Sequence, residues 1–177
     1  MHAWHDIKPA TAKNGVVRAV IEISKGSKVK YELDKETGFL KMDRVLFSSV
    51  HYPTNYGFIP QSYCGDSDPL DILVISQIDI QPLCIVEARV VGVMRMVDEG
   101  DADDKIIAVA ENDVSLSHVQ KLSDIPNYLM AEINRFFEDY KKLENKKIVV
   151  DPFLGYEEAM EIIEESYRFY QENFNKK

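Results

Sequence analysis

Two clusters of aspartates are the residues of this chain best suited to chemistry. Asp66, Asp68 and Asp71 lie within six positions, and residues 98–105 contain four more aspartates. Carboxylates this close repel one another, and a divalent cation among them relieves the repulsion. Carboxylate oxygens are hard ligands, which favour Mg²⁺, Mn²⁺ or Ca²⁺ over softer metals. The two clusters therefore predict metal-assisted chemistry on a phosphate.

The spacing of the first cluster excludes an EF-hand calcium loop. Counted from Asp66, that loop needs glycine at the sixth position and glutamate at the twelfth, where this chain has Asp71 and Gln77. For either cluster alone, an ordinary acidic turn remains an alternative. Because each cluster lies at an end of a predicted strand, the pair favours one shared site, in which two cations ~3.5–4 Å apart act on a phosphorus centre.

Several cationic side chains and one aromatic segment are candidates for binding a phosphate. Lys30, Arg44, Lys105 and Lys141 are each typical of an ordinary surface charge on their own, so a phosphate site requires them to converge. The segment 51–60, HYPTNYGFIP, predicts either an irregular packed connection or a rigid loop whose tyrosine hydroxyl donates to a ligand oxygen. The sequence shows no Ser/His/Asp or Cys/His pattern and no glycine-rich P-loop.

The elements that must position these residues are mostly strands, followed by helices. β-Branched runs and alternation predict strands over 16–23, 28–33, 39–47, 72–75, 85–97 and 106–110. Helical spacing predicts helices over 118–145 and 156–175, with Asp124 as a cap and Pro126 in the first turn. Residues 1–15 form an N-terminal segment, which we expect to be mobile around His2 and His5. This order predicts one α+β domain over 1–177, mostly β from 16 to 115, with a β-barrel or strongly bent sheet and helices outside.

Charge and hydropathy limit the classes of partner. Lys plus Arg number 21 and Asp plus Glu number 30, for a net charge of −9. A chain this acidic is a poor partner for nucleic acid or for an anionic membrane surface. No apolar run approaches the roughly 20 residues of a membrane span, and residues 1–6 lack the pattern of a signal peptide. Cys64 and Cys84 could form one disulfide, but we interpret them as two free thiols in a reducing cytoplasm.

Several segments, taken in order, resemble the motifs of one family. They are Ile21-Glu22-Ile23, Lys30-Tyr31-Glu32, Asp43-Arg44, Tyr52-Pro53-Thr54-Asn55-Tyr56-Gly57, Asp66-Ser67-Asp68-Pro69-Leu70-Asp71, Val97-Asp98-Glu99 with Asp103 and Lys105, and Phe136-Phe137-Glu138-Asp139-Tyr140-Lys141. From Val16 to Leu143 the chain closely resembles the family I inorganic pyrophosphatases in their shorter, prokaryotic form. His51 and Leu83 depart from the family pattern, and neither is a matched catalytic position.

The resemblance implies a fold, an activity and a setting. The implied fold is an OB-like five-stranded β-barrel flanked by two C-terminal helices. The implied activity is that of an inorganic diphosphatase, which hydrolyses pyrophosphate to two orthophosphates by in-line attack of a metal-activated hydroxide. It further implies several Mg²⁺ ions per subunit, with Mn²⁺ or other divalent ions as substitutes. The resemblance also implies a cytoplasmic homohexamer with a housekeeping role in phosphate metabolism.

The resemblance also implies a role for each matched residue. Asp66, Asp71 and Asp103 would bind the first metal, with Asp71 bridging to a second. Asp98 and Asp103 would serve a metal that arrives with substrate, and Glu22 a further one. Asp68 would be the general base. The phosphate-binding groups would be Lys30, Arg44, Tyr56, Lys105, Tyr140 and Lys141, supported by Glu32, Asp43 and Tyr52.

Three other functions stay open from the residues alone. A Ca²⁺-binding or scaffold module would use the same aspartates without catalysis, and an assay of phosphate release from pyrophosphate separates it from an enzyme. A hydrolase of nucleoside diphosphate derivatives is opposed by the glutamate-rich segment 157–165, which lacks the Arg-Glu pair and the following Glu-Glu spacing of the Nudix helix. An OB-like nucleic-acid binder is opposed by the net charge.

Overall fold

Strands are the main regular structure up to residue 110, and two long helices follow. The computed structural model describes residues 2–10, 13–98, 100–144 and 148–174. Its strands are β1 (Val16–Ile23), β2 (Val29–Leu33), β3 (Leu40–Val45), β4 (Asn55–Phe58), β5 (Asp71–Ile75), β6 (Ile85–Met94), β7 (Met96–Asp98), β8 (Asp101–Ala102), β9 (Lys105–Ala110) and β10 (Ile148–Val150). The helices are α1 (Asn127–Asp139) and α2 (Tyr156–Phe174), and no helix within the described ranges is long and apolar enough to cross a bilayer.

Five of the strands close into a barrel in the order β1-β4-β5-β9-β6. Four of the neighbouring pairs are antiparallel, and β5 and β9 run parallel. Outside the barrel, β2 pairs with β3, and β10, β7 and β8 form a small sheet. The expected five-stranded barrel with two helices is therefore confirmed.

The barrel strands are buried on both sides, in two different hydrophobic clusters, because alternate residues of a strand point to opposite sides. On β5, Leu73 and Ile75 belong to the hydrophobic cluster that includes buried residues of α1, whereas Ile72 and Val74 belong to the cluster that includes buried residues of α2. Burying such a side chain is worth about 1.5–3 kcal/mol. A strand buried on both sides holds its first residue, and therefore the side chain at that end, in a fixed place.

The helical segment predicted over 118–145 is shorter in the structure, because α1 begins at Asn127 and ends at Asp139. Pro126 precedes the helix in an extended conformation instead of lying within its first turn. Asp124 does not cap α1, since its carboxylate accepts hydrogen bonds from the backbone N–H groups of Gln120 and Lys121. The strand predicted over 85–97 is also divided, into β6 and β7.

The segment 51–60 contains a barrel strand that its composition conceals. β4 pairs with β1 on one side and β5 on the other, although Pro53 and Pro60 flank it and Gly57 lies within it. A Cβ at Gly57 would collide with the carbonyl oxygen of Val20 and lie 2.8 Å from the Cα of Ile21. The glycine that resembles a breaker thus permits β4 to approach β1 closely.

The N-terminal segment is packed against the protein, contrary to the expected mobility. Trp4 is 3% exposed, and its indole Nε1 donates to the carbonyl of Ser62 at 2.8 Å. The ring of His5 stacks on Trp4, and its Nδ1 lies 2.7 Å from the hydroxyl of Tyr170 on α2. Buried aromatic area and hydrogen bonds at both ends therefore hold residues 2–7 in place.

Candidate active site

A cavity of about 640 Å³ lies at the end of the barrel where β5 and β9 begin. Side chains from β1, β2, β4, β5 and β9, from the loop after β4 and from the end of α1 converge on it. Its lining contains eleven of the residues proposed from the sequence: Glu22, Lys30, Glu32, Tyr56, Asp66, Asp68, Asp71, Asp103, Lys105, Tyr140 and Lys141. Asp98 ends β7, and its side chain lies outside the part of the chain that the structure describes.

Three of the proposed residues lie beyond the described lining of the cavity and contact residues within it. Arg44 Nη1 donates to Asp43 Oδ2 at 2.5 Å, and Lys30 Nζ lies 3.3 Å from the same oxygen. The pairing of β2 with β3 explains this contact, because Lys30 and Arg44 are register partners. Tyr52 packs its ring against Tyr56, with the ring centroids 5.5 Å apart.

A buried lysine lies at the centre of the site. Lys105 is 1% exposed, and its Nζ lies 2.6 Å from Asp71 Oδ2 and 2.6 Å from Asp103 Oδ1. The hydroxyl of Tyr56 donates to the same oxygen of Asp71. Burial favours the neutral amine, but Asp71 and Asp103 outweigh it and hold the pKa of Lys105 above its ordinary value. The site therefore contains a permanent cation.

The parallel pairing of β5 and β9 creates this contact. Asp71 and Lys105 are the first residues of their strands and are register partners. The residues that follow each of them are buried and apolar, so both strands are anchored in the core directly beyond the polar pair. Pro69 restricts the backbone just before β5. Two charged side chains are thus held face to face by rigid elements.

The carboxylates around Lys105 are short of positive charge. Burial, together with the charge of Asp71, raises the pKa of Glu22 to about 8, and Glu22 Oε1 accepts a hydrogen bond from the N–H of Leu33 at 2.6 Å. Burial and neighbouring carboxylates also raise the pKa of Asp66 and of Asp71. One ammonium does not balance the negative charge of these three carboxylates and of Asp103, so protons or added cations must do so.

The type of these donors fits a hard divalent cation. Glu22, Asp66, Asp71 and Asp103 present carboxylate oxygens to one cavity, which suits Mg²⁺, Mn²⁺ or Ca²⁺ better than zinc. Within the described ranges, no group of three such residues is arranged to hold an ion as it stands. At the centre of the site, the Lys105 ammonium bridges Asp71 and Asp103.

The loop before β5 gives Asp66 and Asp68 different surroundings. Asp66 Oδ1 accepts from the N–H of Asp68 at 3.0 Å, so Asp66 bends back onto its own loop. The N–H of Cys64 donates to the carbonyl of Asp68 at 2.8 Å, and Ser67 adopts a φ of 69°, in the left-handed region. The side chain of Asp68 is half exposed and pairs with the ammonium of Lys35. Two aspartates with nearly adjacent positions thus have distinct contacts.

Sequence reasoning missed several residues of the lining, including Trp4, Tyr31, Asp34, Lys35 and Lys41. The turn that holds Lys35 directly follows β2, so the hairpin that delivers Lys30 also delivers Lys35, and the sequence contains that signal. Trp4 has no local signal. It reaches the site through its contact with Ser62, which is 58 residues away in the chain.

Comparisons with known proteins agree with one another. The family model for inorganic pyrophosphatase matches residues 19–171. A protein of Chlamydomonas reinhardtii named soluble inorganic pyrophosphatase 2 is 51% identical over 98% of this chain and 90% of its own length. An inorganic pyrophosphatase structure from Thermus thermophilus shares 39% identity and a TM-score of 0.89, covering 93% of this chain and 97% of that one. The Helicobacter pylori enzyme shares 41% identity and a TM-score of 0.89, over 94% and 99% of the two chains.

Proposed function

This chain belongs to the inorganic pyrophosphatase family and hydrolyses pyrophosphate to two orthophosphates, and we propose that it does so with Mg²⁺ bound by the carboxylates of the cavity. The observation that carries the proposal is the crowding of Asp71 and Asp103 around a single ammonium, beside Glu22 and Asp66. These carboxylates repel a polyanionic substrate, because like charges in a partly buried site interact strongly. Cations must therefore accompany the substrate.

The carboxylates of the cavity are the proposed metal ligands. Asp66, Asp71 and Asp103 would hold one cation. Asp71, together with Asp98, Asp103 and Glu22, would serve the others. When bound, divalent cations neutralise substrate charge and lower the pKa of the attacking water. Mn²⁺ or other hard divalent ions fit the same donors. Support for this assignment comes from the raised pKa of Glu22 and Asp71, which marks carboxylates that need a positive partner.

Asp68 is the proposed general base. It lies in the same cavity as the metal-ligand candidates, and its carboxylate is directed to Lys35 rather than to the Asp71–Lys105–Asp103 centre. A base must accept a proton from the water that attacks phosphorus, and a carboxylate kept out of the ligand set retains a free lone pair for it. The loop contacts of Asp66 and Asp68 are the support for giving these neighbours different tasks.

Basic side chains and tyrosine hydroxyls in and beside the cavity are the proposed phosphate-binding groups. Lys30 from β2 and Lys141 after α1 line the cavity from different elements, so their charges converge as the activity requires. The other proposed phosphate-binding groups in the lining are Lys105, Tyr56 and Tyr140. Arg44 is the register partner of Lys30 on the neighbouring strand β3. These groups stabilise the charge that develops on the leaving phosphate. Three residues support these binding groups: Glu32 and Asp43 each have a carboxylate oxygen 3.3 Å from Lys30 Nζ, and Tyr52 packs against Tyr56.

The test of the metal proposal is phosphate release from pyrophosphate by protein stripped of metal with EDTA. Mg²⁺ should restore turnover and Mn²⁺ should restore part of it. Full activity after thorough removal of metal would overturn the proposal. A nucleoside diphosphate derivative serves as the second substrate in the same assay, and its preferential cleavage would favour the other hydrolase class considered above.

We further propose that the protein is a cytoplasmic homohexamer. The support for assembly is an apolar patch on β3 and its flanks, where Phe39 and Phe47 are 73% and 67% exposed and Met42 and Val45 are more than half exposed. Exposed apolar patches of this kind mark surfaces that associate. Cys64 and Cys84 are both free thiols, which accords with a reducing compartment.

A further inference from the structure

We propose that Lys35 is a positioning residue for the reaction, which fixes the loop and the carboxylate of Asp68. The inference rests on the proposed role of Asp68 as the base. Lys35 lines the cavity and lies on the turn between β2 and β3. It therefore reaches the Asp68 loop from a different element, which is the requirement for a tether.

A single ammonium makes two contacts with the loop. Lys35 Nζ pairs with Asp68 Oδ1, and it donates to the carbonyl of Ser67 at 2.9 Å. The ion pair fixes the orientation of the Asp68 carboxylate, and the hydrogen bond fixes the peptide group between Ser67 and Asp68. Together they orient the carboxylate more tightly than an ion pair alone, because a charge-assisted hydrogen bond to a backbone carbonyl also restrains the chain direction.

The Asp68 loop needs such a restraint. Ser67 has a φ of 69°, which a residue with a Cβ adopts at a cost in backbone energy. Within the loop, the Ser67 N–H donates to the Cys64 carbonyl at 3.1 Å, and Asp66 accepts from the Asp68 N–H. Neither of these bonds involves the side chain of Asp68. Since that side chain is 50% exposed, water competes for it wherever Lys35 does not hold it.

The turn that presents Lys35 is itself rigid. Asp34 Oδ1 accepts from the N–H of Thr37 at 2.7 Å and from its hydroxyl at 2.6 Å, and the N–H of Gly38 donates to the carbonyl of Asp34 at 2.8 Å. His2 Nε2 donates to the carbonyl of Lys35 at 3.1 Å, so the packed N-terminal segment buttresses the turn. The ammonium is therefore delivered from a fixed backbone, and only its own flexible stem separates it from Asp68.

The effect of this tether should appear in the rate and not in the stability. Lys35 and Asp68 are 47% and 50% exposed, and ion pairs in water contribute little to folding. A base displaced from the attacking water, in contrast, loses much of its effect, since a misplacement of about 1 Å can cost roughly 10²-fold in rate. Loss of Lys35 should lower kcat at saturating substrate and Mg²⁺ while KM changes little.

The experiment compares Lys35→Met with Lys35→Arg and Lys28→Met. Lys28 is an exposed lysine directly before β2 and lies outside the described lining of the cavity, so its loss removes the same charge from the same hairpin without touching the site or the Asp68 loop. We expect kcat to fall about 10-fold or more in Lys35→Met, to recover most of that loss in Lys35→Arg and to stay near the wild-type value in Lys28→Met. Thermal midpoints should move by no more than about 2–4 °C.

The same substitution in an Asp68→Asn background separates the two proposals. If Lys35 acts through Asp68, Lys35→Met should cost little further rate there. Equal losses in Lys28→Met and Lys35→Met, a rise in KM with unchanged kcat in Lys35→Met, or a full additional loss in the double variant would each overturn the role of Lys35. If Asp68→Asn itself leaves kcat unchanged, the base assignment fails. If Asp68→Asn is inactive while Lys35→Met retains full kcat, only the inference about Lys35 fails.

Discussion

Asp71 and Lys105 face each other at the start of two parallel barrel strands, with Lys105 Nζ 2.6 Å from Asp71 Oδ2. The same ammonium lies 2.6 Å from Asp103 Oδ1. Lys105 therefore stands where a cation is needed whenever no metal is bound. A side chain that belongs to the fold therefore offsets part of the negative charge at this centre.

Replacing Lys105 with methionine should destabilise the metal-free protein most. In EDTA the substitution leaves the partly buried Asp71 and Asp103 without their counter-charge, and the free energy of unfolding should fall by about 2–4 kcal/mol, somewhat less than for a fully buried pair. In saturating Mg²⁺ the loss should be clearly smaller, because bound cations replace the ammonium. Denaturant titration under both conditions measures the difference.

The control for this prediction is Lys142→Met, at an exposed lysine near Asp139. It should change the free energy of unfolding by less than about 1 kcal/mol in either condition. An equal loss with and without Mg²⁺ in Lys105→Met would contradict this account of the site.

Gly57→Ala should destabilise the barrel through a steric clash. The new methyl group would meet the carbonyl oxygen of Val20 and the Cα of Ile21, so β4 and β1 would have to separate. Overpacking of this kind costs typically 1–3 kcal/mol, and backbone atoms yield less readily than side chains. Gly65→Ala is the matched control, because a Cβ there meets nothing within 4 Å. Thermal unfolding of both variants decides the matter; similar midpoints would show that β4 does not lie against β1 as described.

Asp113 should contribute stability that disappears in acid. Hydrogen bonds from the Ser115 hydroxyl and the Gln77 N–H, among others, hold the pKa of Asp113 below its usual range. A lowered folded-state pKa means that the contribution is complete above the unfolded pKa of about 4 and is lost as the pH falls through the folded value. Asp113→Ala should therefore cost about 1–2 kcal/mol at pH 7 and progressively less below pH 4. Denaturant melts of this variant and of Asp79→Ala, at an exposed aspartate after β5, provide the comparison. A cost that is the same at pH 7 and pH 3 would refute the assignment.

Assembly is tested by sedimentation. We expect a mass near six times the 20.3 kDa of the chain at micromolar concentration. Phe47→Ser, in the apolar patch on β3, should shift the distribution toward smaller species, because it removes apolar area from a surface proposed to associate. A monomer in the wild-type protein would remove the oligomer proposal and leave the catalytic assignments in place.

The elements that the sequence predicts well are those with strong local patterns. β1 was expected over the range that the structure has, since residues 16–23 are almost all β-branched or apolar. β4 was missed because its prolines and Gly57 resemble a loop, and only tertiary pairing reveals their purpose. The start of α1 was misplaced because Asp124 satisfies backbone N–H groups of the preceding turn rather than those of the helix.

The residues of the candidate site also differ in how far the local sequence predicts them. Asp66, Asp68 and Asp71 are close in the chain, so their density alone predicts a cation site. The pairing of Asp71 with Lys105 spans 34 residues and depends on β5 and β9 running parallel, and no local pattern indicates that. The contact of Lys35 with Asp68 requires the β2–β3 hairpin and the loop before β5 to meet in space, and no local pattern indicates that.

The measurement that tests the central claim most directly is a calorimetric titration of Mg²⁺ into Asp68→Asn and Asp71→Asn, with kcat measured on the same preparations. The claim is that these two aspartates, three positions apart, have different tasks: one accepts a proton and the other binds metal. Asp68→Asn should keep its Mg²⁺ affinity while kcat falls by about 10²–10⁴, with the pH optimum moved upward. Asp71→Asn should lose Mg²⁺ affinity and rate together. Parallel loss of Mg²⁺ affinity and rate in Asp68→Asn would make Asp68 a metal ligand and contradict the account.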